Sequence, residues 1–309
     1  MSMAGQERPT ADDCITNVSP TPPGKPRIFR CPMGTIQYFV TVPQSCADGG
    51  CGLIISLGGL AEDAQTHDKN LGLRRLGAMN NFIVVNAQQG QLGILPGSQL
   101  NFFDIRRGGS SEMQLFDFAQ RAAKAFAVDR NRIHMGGFSQ GAQVTFDILC
   151  DPTKVGLFAS FSLHASAQPG FADTQMEGDM CFGPGLANPN VPILIMSGRT
   201  DGIVPPEEVE STVQSIITSL NLGEGEMIDQ GENGFVQRRF TGPDGAVLER
   251  IQYDNENNDP LPLEGAEGLR LLGHCYVGSV TQTFLSCAGP NGFSMGQKVM
   301  EFYMNNPKR

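Results

Sequence analysis

Gly137-Phe138-Ser139-Gln140-Gly141 is the stretch of this sequence best suited to chemistry. It follows Ile133-His134-Met135-Gly136, which reads as a strand, and opens a run with helical periodicity over 140–149. A serine on a tight strand-to-helix turn takes strained backbone angles and lifts its oxygen above the sheet edge. Small residues at 137 and 141 let strand and helix pass closely around it. The Gln140 amide then points towards a reacting carbonyl. A serine hydroxyl is a weak nucleophile until an adjacent base removes its proton. The chain must therefore supply a base, and an acid to orient it, in the order serine, acid, histidine.

Four histidines are present. His67 and His134 precede the serine, and His134 lies in the strand leading to it. His164 ends the following strand, too early for an acid to intervene. His274 remains as the base, within Leu272-Gly273-His274-Cys275-Tyr276. The acid is expected where a strand ends in Gly198-Arg199-Thr200-Asp201, ahead of Val204-Pro205 and a helix. There Asp201 can orient the imidazole and stabilise its cation. Glu207 and Glu208 are the fallback, but acidic residues at that point also suit a helix start. Acyl transfer needs two donors for the developing oxyanion. One is the Gln140 amide. The other is expected from Ser56-Leu57-Gly58-Gly59-Leu60, after an earlier strand, with Leu60 the first choice and Gly59 the alternative. Phe102, Phe103 and Ile203 are candidate pocket walls, or ordinary core. Asp104, Arg106 and Arg107 could contact substrate, though a loop salt bridge is the simpler expectation.

The elements that must position these residues alternate. Strands are expected over 28–31, 35–42, 52–57, 82–86, 132–138, 158–163 and 192–197, and helices over 70–79, 111–127, 140–149, 206–220 and 293–305. Gly242-Pro243-Asp244-Gly245 between 235–240 and 247–253 reads as a hairpin. Alternating strands and helices imply an α/β fold, with a mostly parallel central sheet and helices on both faces. Residues 1–26, polar and holding five prolines, read as an extended arm, and 27–309 as a single catalytic domain. Residues 168–190 read as a long loop near the site, tied by Cys181.

Composition narrows the function. The net charge is −10, and Arg and Lys gather only in pairs such as Arg106-Arg107. That disfavours nucleic acid as a partner and favours a neutral substrate. The longest apolar runs are strand-sized, so no membrane span is expected. Eight cysteines without a CxxC pair point to disulfides rather than zinc, and to an oxidising compartment. Cys46–Cys51, bracketing Ala-Asp-Gly-Gly, and Cys275–Cys287 are the expected pairs, and Cys14 could pin the arm. The opening residues, MSMAGQERPTADD, hold no apolar leader stretch. With the cysteines, this suggests a secreted or periplasmic protein whose leader has been removed. Oligomeric state is not legible.

The chain resembles the extracellular polyhydroxybutyrate depolymerase and feruloyl-esterase-like family of α/β-hydrolases. The resemblance runs over roughly residues 46–305. It is carried by Cys46-Ala-Asp-Gly-Gly-Cys51 leading into Leu57-Gly58-Gly59, by Asn101-Phe102-Phe103-Asp104 followed by Arg107-Gly108-Gly109, by the serine turn, by the Asp201 loop, and by Gly273-His274-Cys275-Tyr276-Val277-Gly278. It implies an α/β-hydrolase fold, ester hydrolysis through an acyl-enzyme without metal or cofactor, and Ser139, Asp201 and His274 as the triad. The implied substrates are polyhydroxyalkanoate-type polyester chains or their oligomers, with a small-molecule or feruloyl-type ester as the alternative. The family usually has His-Gly where Gly58-Gly59 stands here, and often a Trp-rich segment where this chain, without Trp, has Phe102 and Phe103. The same residues also suit an amidase or peptidase, and the fold could serve as a catalytically silent binding module.

Overall fold

Central strands such as Gly52–Leu57, Ile133–Phe138 and Ile193–Gly198 are buried at every position, which is how strands behave when helices cover both faces of a sheet. The computed structural model describes residues 15, 20–22, 25–30, 34–89, 103–168, 181–231, 234–260, 268–289 and 292–308. Phe102, Cys14, Cys31 and most of the expected arm and of the 168–190 loop lie outside them. The elements in chain order are β1 (Arg27–Arg30), β2 (Ile36–Thr41), β3 (Gly52–Leu57), α1 (Ala64–Leu71), α2 (Leu73–Met79), β4 (Phe82–Gln89), α3 (Ser110–Ala125), β5 (Ile133–Phe138) and α4 (Gln140–Cys150). They continue with β6 (Ser160–His164), β7 (Ile193–Gly198), α5 (Pro206–Ser219), β8 (Glu226–Gly231), β9 (Phe235–Thr241), β10 (Val247–Tyr253), β11 (Asn257–Pro260), β12 (Arg270–Leu272) and α6 (Met295–Asn305).

Among the described residues ten strands form one sheet, in the order β1-β2-β4-β3-β5-β6-β7-β10-β9-β8. The six from β4 to β10 run parallel, while β1 and β2 at one edge and β9 and β8 at the other are antiparallel. Within this sheet β3 is paired on both sides, with Leu57 level with Gly137 of β5. The chain leaves β3 towards β4 on one side and returns through β5 on the other. The crevice beyond the carboxyl ends of β3 and β5 is therefore the topological switch point, the place where open α/β sheets bind ligands.

One face of the sheet is covered by α3, α4 and α5 over a core including Ile55, Leu57, Phe118, Phe146 and Ile216. The other is covered by α1, α2 and α6 over Ile54, Phe138, Met196, Val299 and Tyr303. Three disulfides brace the described residues: Cys46–Cys51, Cys150–Cys181 and Cys275–Cys287. No helix among the described residues is long and apolar enough to cross a membrane.

Two local readings need correcting. The single helix expected over 70–79 is two helices. Asp63 caps α1 by accepting from the Thr66 amide at 2.7 Å. Gly72 then takes φ 66°, its amide returning to Asp68 O, and ends α1. The strand β8 went unanticipated. It lies on the sheet edge with Met227 and Ile228 exposed, so it carries no inward-outward apolar alternation. The hairpin over Gly242–Gly245 does form, and β10 carries it into the main sheet beside β7.

The α1/α2/α6 face holds a polar seam. His134 bonds Ser160 Oγ through Nδ1 at 2.8 Å and stacks on Tyr303, whose hydroxyl lies 2.6 Å from Ser162 Oγ. Neither ring nitrogen of the buried His164 has a partner among the described residues. Burial pushes both imidazoles down to about 3, with the charges of Arg132 and His67 adding to the effect. The unfolded chain takes up these two protons near pH 6.5, the folded chain only near pH 3. Stability therefore falls as pH drops through 6.5, by about tenfold in the unfolding equilibrium per pH unit for each group. In urea titrations between pH 7.5 and 4.5, His164→Phe is expected to remove one such tenfold-per-unit component, and an unchanged slope would contradict it.

Candidate active site

Ser139 follows β5 directly and caps α4 with φ 53° and ψ −120°. A left-handed φ is costly for a non-glycine residue and persists only where its surroundings fix it. Here the Ser139 amide donates to His164 O of the neighbouring strand at 2.8 Å, while its carbonyl accepts from Ala142 and Gln143. Two glycines let α4 start close against β5 and against the end of β3. A methyl at Gly137 would lie 2.3 Å from the Gly141 carbonyl carbon, and one at Gly141 would lie 2.5 Å from Gly58 O. The Gln140 amide, first in the helix, is one of the donors that an α-helix leaves without an internal partner. Its side-chain Oε1 accepts from the Phe103 amide at 2.9 Å, which fastens the start of the 103–109 segment to the turn.

The loop after β3 lies against this serine. A methyl at Gly59 would lie 3.3 Å from Ser139 Cβ. Gly59 and Glu62 close a turn in which the Glu62 amide donates to Gly59 O at 3.2 Å and the Gly59 amide donates to Glu62 Oε2 at 2.9 Å. The Gly59 amide is thus engaged. The Leu60 amide, inside the turn, has no partner among the described residues. Ala61, at φ 62°, completes the reversal.

Asp201 follows β7 and is buried. Its carboxylate accepts from the Ile203 and Val204 amides at 2.9 and 2.8 Å, and faces His274 Nδ1 at 3.0 and 2.9 Å from its two oxygens. Ile203 thus meets the acid through its backbone, while its side chain packs against the Phe138 core. That carboxylate holds the proton of His274 on Nδ1 and leaves Nε2 as the basic nitrogen. The Asp201 and His274 loops meet backbone to backbone. A methyl at Gly198 would lie 2.5 Å from Gly273 Cα, and Gly273 N donates to Thr200 O. The buried Tyr253 hydroxyl lies 3.1 Å from Gly273 O and 2.9 Å from Cys275 O, so it holds the His274 loop on both sides of the imidazole. Burial raises the Tyr253 pKa well above the phenol range, so the hydroxyl stays a donor. Cys275–Cys287 then closes the segment behind it.

Phe138 joins the two halves. Its ring packs on His274 with centroids 4.9 Å apart and stacks on Tyr276 at 4.0 Å, one residue before Ser139. Phe103 is buried in the core on the α3/α4 face. Asp104 pairs with Arg106 at 2.8 Å, and that hydrogen bond holds its carboxyl well below the usual range. Arg107 Nη2 donates to Cys150 O. Glu207 and Glu208 occupy the first turn of α5. Residues that the sequence reading passed over are Glu62, His67, Asn70, Tyr253 and Tyr276. All are buried polar groups whose role lies in their partners, which lie 20 or 22 residues away for Tyr253 and more than 200 away between Glu62, His67 or Asn70 and the 276–286 segment, and leave no local pattern.

A serine on a strained turn, an imidazole paired with a buried carboxylate and backbone amides without internal partners on either side of the serine are the kinds of group that nucleophilic attack on an acyl carbonyl needs. The sheet, its switch point and the serine turn define the class: the chain has the α/β-hydrolase fold. It superposes on the acetyl xylan esterase from Aspergillus awamori with a TM-score of 0.59, at 13% identity, over 87% of this chain and 94% of that one. On a thermostable esterase the TM-score is 0.53 at 14% identity, over 92% of this chain and 63% of that one. In sequence it is similar to poly(3-hydroxyalkanoate) depolymerase C of Paucimonas lemoignei, 23% identical over 261 residues. That match covers 78% of this chain, and the chain spans about 62% of the relative's length. No protein-family model matches the sequence.

The close approach of α4 to the end of β3 makes a stability prediction. Gly141→Ala is expected to cost about 3 kcal/mol by forcing backbone apart. Gly156→Ala, where a methyl would meet nothing within 4 Å, should stay within about 0.5 kcal/mol of wild type. Urea midpoints measure both, and equal effects would refute the close-approach argument.

Proposed function

We propose that this protein is a serine carboxylic-ester hydrolase working through an acyl-enzyme at Ser139. The observation that carries the reading is the buried Asp201–His274 pair packed against Phe138, immediately before a serine held at positive φ. His274 Nε2 takes the proton from Ser139 Oγ as that oxygen attacks the ester carbonyl. The Gln140 and Leu60 amides hold the oxyanion of the tetrahedral intermediate. His274, its cation stabilised by Asp201, returns the proton to the leaving alcohol. Water then enters, His274 takes its proton, and hydroxide attacks the acyl carbonyl. Ser139 leaves with the proton restored, and the acid is released.

The substrate class we favour is a polyhydroxyalkanoate-type polyester chain or its soluble oligomers. Support comes from the similarity to a protein named as a poly(3-hydroxyalkanoate) depolymerase, together with a net charge of −10 that suits a neutral substrate. Small or feruloyl-type esters are the alternative within the same chemistry. We also place the protein in an oxidising compartment, secreted or periplasmic, because three disulfides would not persist in a reducing cytosol.

The test is hydrolysis by wild type and variants of p-nitrophenyl butyrate, a hydroxybutyrate oligomer, a feruloyl ester and a polyester film, with matched anilides alongside. Ser139→Ala and His274→Ala should each lower kcat by roughly 10⁵-fold or more, and Asp201→Asn by about 10⁴-fold. Turnover of oligomer or film supports the polyester substrate, and turnover confined to small esters removes it. Wild-type activity in Ser139→Ala, or preference for the anilides, would refute the esterase reading.

A further inference from the structure

Behind the Leu60 amide lies a buried polar network that none of the chemistry above uses. Glu62 is its centre, with a side chain shut off from solvent. Oε2 accepts from the Gly59 amide at 2.9 Å and from the Tyr276 hydroxyl at 2.8 Å, and Oε1 accepts from Asn70 Nδ2 at 2.8 Å. Asn70 Oδ1 in turn accepts from Thr283 Oγ1 at 2.7 Å, Ser279 Oγ at 3.2 Å and Ser286 Oγ at 3.3 Å. Tyr276 donates to Glu62, so its oxygen accepts from His67 Nδ1 at 2.9 Å, and His67 Nε2 lies 2.7 Å from Ser56 Oγ. His67 Nδ1 also lies 3.4 Å from Glu62 Oε2. Burial and the nearby Glu62 raise the Tyr276 pKa, so its hydroxyl remains a donor.

The network joins two loops that chemistry at Ser139 needs in register. Glu62 holds Gly59 by both its amide and its carbonyl, and Leu60 is the next residue. Tyr276 is two residues beyond His274, and its ring stacks on Phe138. An acceptor-only carboxylate suits a site where three protein donors converge.

We propose that Glu62 is a positioning residue: by clamping the Gly59–Glu62 turn and tying it to Tyr276, it aims the Leu60 amide at the oxyanion formed on the ester. This rests on the ester-hydrolase reading. Oxyanion donors act only when they are already oriented, because reorientation during the reaction costs the stabilisation they supply. Glu62 acts through the backbone and touches no reacting atom.

Two substitutions separate aiming from general support. Glu62→Met fills the space but removes every acceptor. Glu62→Gln keeps one carbonyl oxygen for Gly59 and Tyr276 and places an NH₂ against Asn70, so it should lower stability while sparing the turn. Both are assayed on the ester wild type turns over best, with kcat divided by the active sites titrated with a fluorophosphonate, so that unfolded protein does not count. Glu62→Met is expected to lose about 10²-fold in kcat per active site with KM changed less than about threefold. Its affinity for a boronic acid that mimics the tetrahedral intermediate should weaken by a similar factor. Glu62→Gln should recover kcat to within about fivefold of wild type.

A Glu62→Met protein with wild-type kcat per active site would overturn the proposal. So would equal losses in the two variants, or a loss in kcat without weaker boronate binding. Failure of the ester-hydrolase reading looks different: wild type itself shows neither Ser139-dependent turnover nor fluorophosphonate labelling, and the proposal falls with it. Where wild type is labelled but hydrolyses none of the esters, the labelling rate replaces kcat, with the same 10²-fold loss expected for Glu62→Met.

Discussion

Ser139 sits at φ 53° and ψ −120°, a conformation that costs a non-glycine residue about 1–3 kcal/mol. The rest of the site is arranged around keeping it there. The hydrogen bond to His164 O ties the serine to β6, and the bonds from Ala142 and Gln143 tie it to α4. The turn between β5 and α4 has little room to relax, because Gly137 of β5 lies against the Gly141 backbone of α4. Protein interiors at this density are not continuously deformable, so the strain is held rather than spread. The β3 loop lies against the serine's Cβ.

Asp201, His274 and the Gly59–Glu62 turn come from three separate places in the chain, and each is held by hydrogen bonds that involve the backbone. Asp201 is gripped by the two amides that follow it. His274 rides on a loop bracketed by Tyr253, by the Gly198–Gly273 contact and by Cys275–Cys287. Glu62 and Tyr276 link that loop to the turn beside Gly59. These partners are buried hydrogen-bonding groups, and removing one leaves the other unpaired in a low-dielectric interior, which is expensive. Precision at the site is therefore coupled to the stability of the α1/α2/α6 face.

Much of the fold is legible in the sequence because its parallel strands are short, continuously apolar and separated by glycine-rich turns. Segments such as Gly52–Leu57 and Ile193–Gly198 have little else they could be. Gly72 was misread because apolar residues on both sides keep a helical spacing through the break, and only its left-handed φ reveals the end of α1. The edge strand β8 escaped because its pairing is backbone alone. Ser139, Asp201 and His274 stand out by residue type and order along the chain. The choice between Gly59 and Leu60 could not be read the same way, since it depends on where the Glu62 carboxylate lies. Tyr253 and Tyr276 look like ordinary core aromatics until their hydroxyls are followed to their partners.

The central claim is that Ser139 is the nucleophile and that the Leu60 and Gln140 amides receive the developing oxyanion. A crystal structure of the protein after reaction with a fluorophosphonate tests it most directly, because the adduct copies the tetrahedral intermediate at the bonded atom. The account predicts one covalent adduct, on Ser139 Oγ, with the phosphonyl oxygen within hydrogen-bond distance of both amides and His274 still paired with Asp201. An adduct on another residue, or a phosphonyl oxygen turned away from both amides, would contradict it.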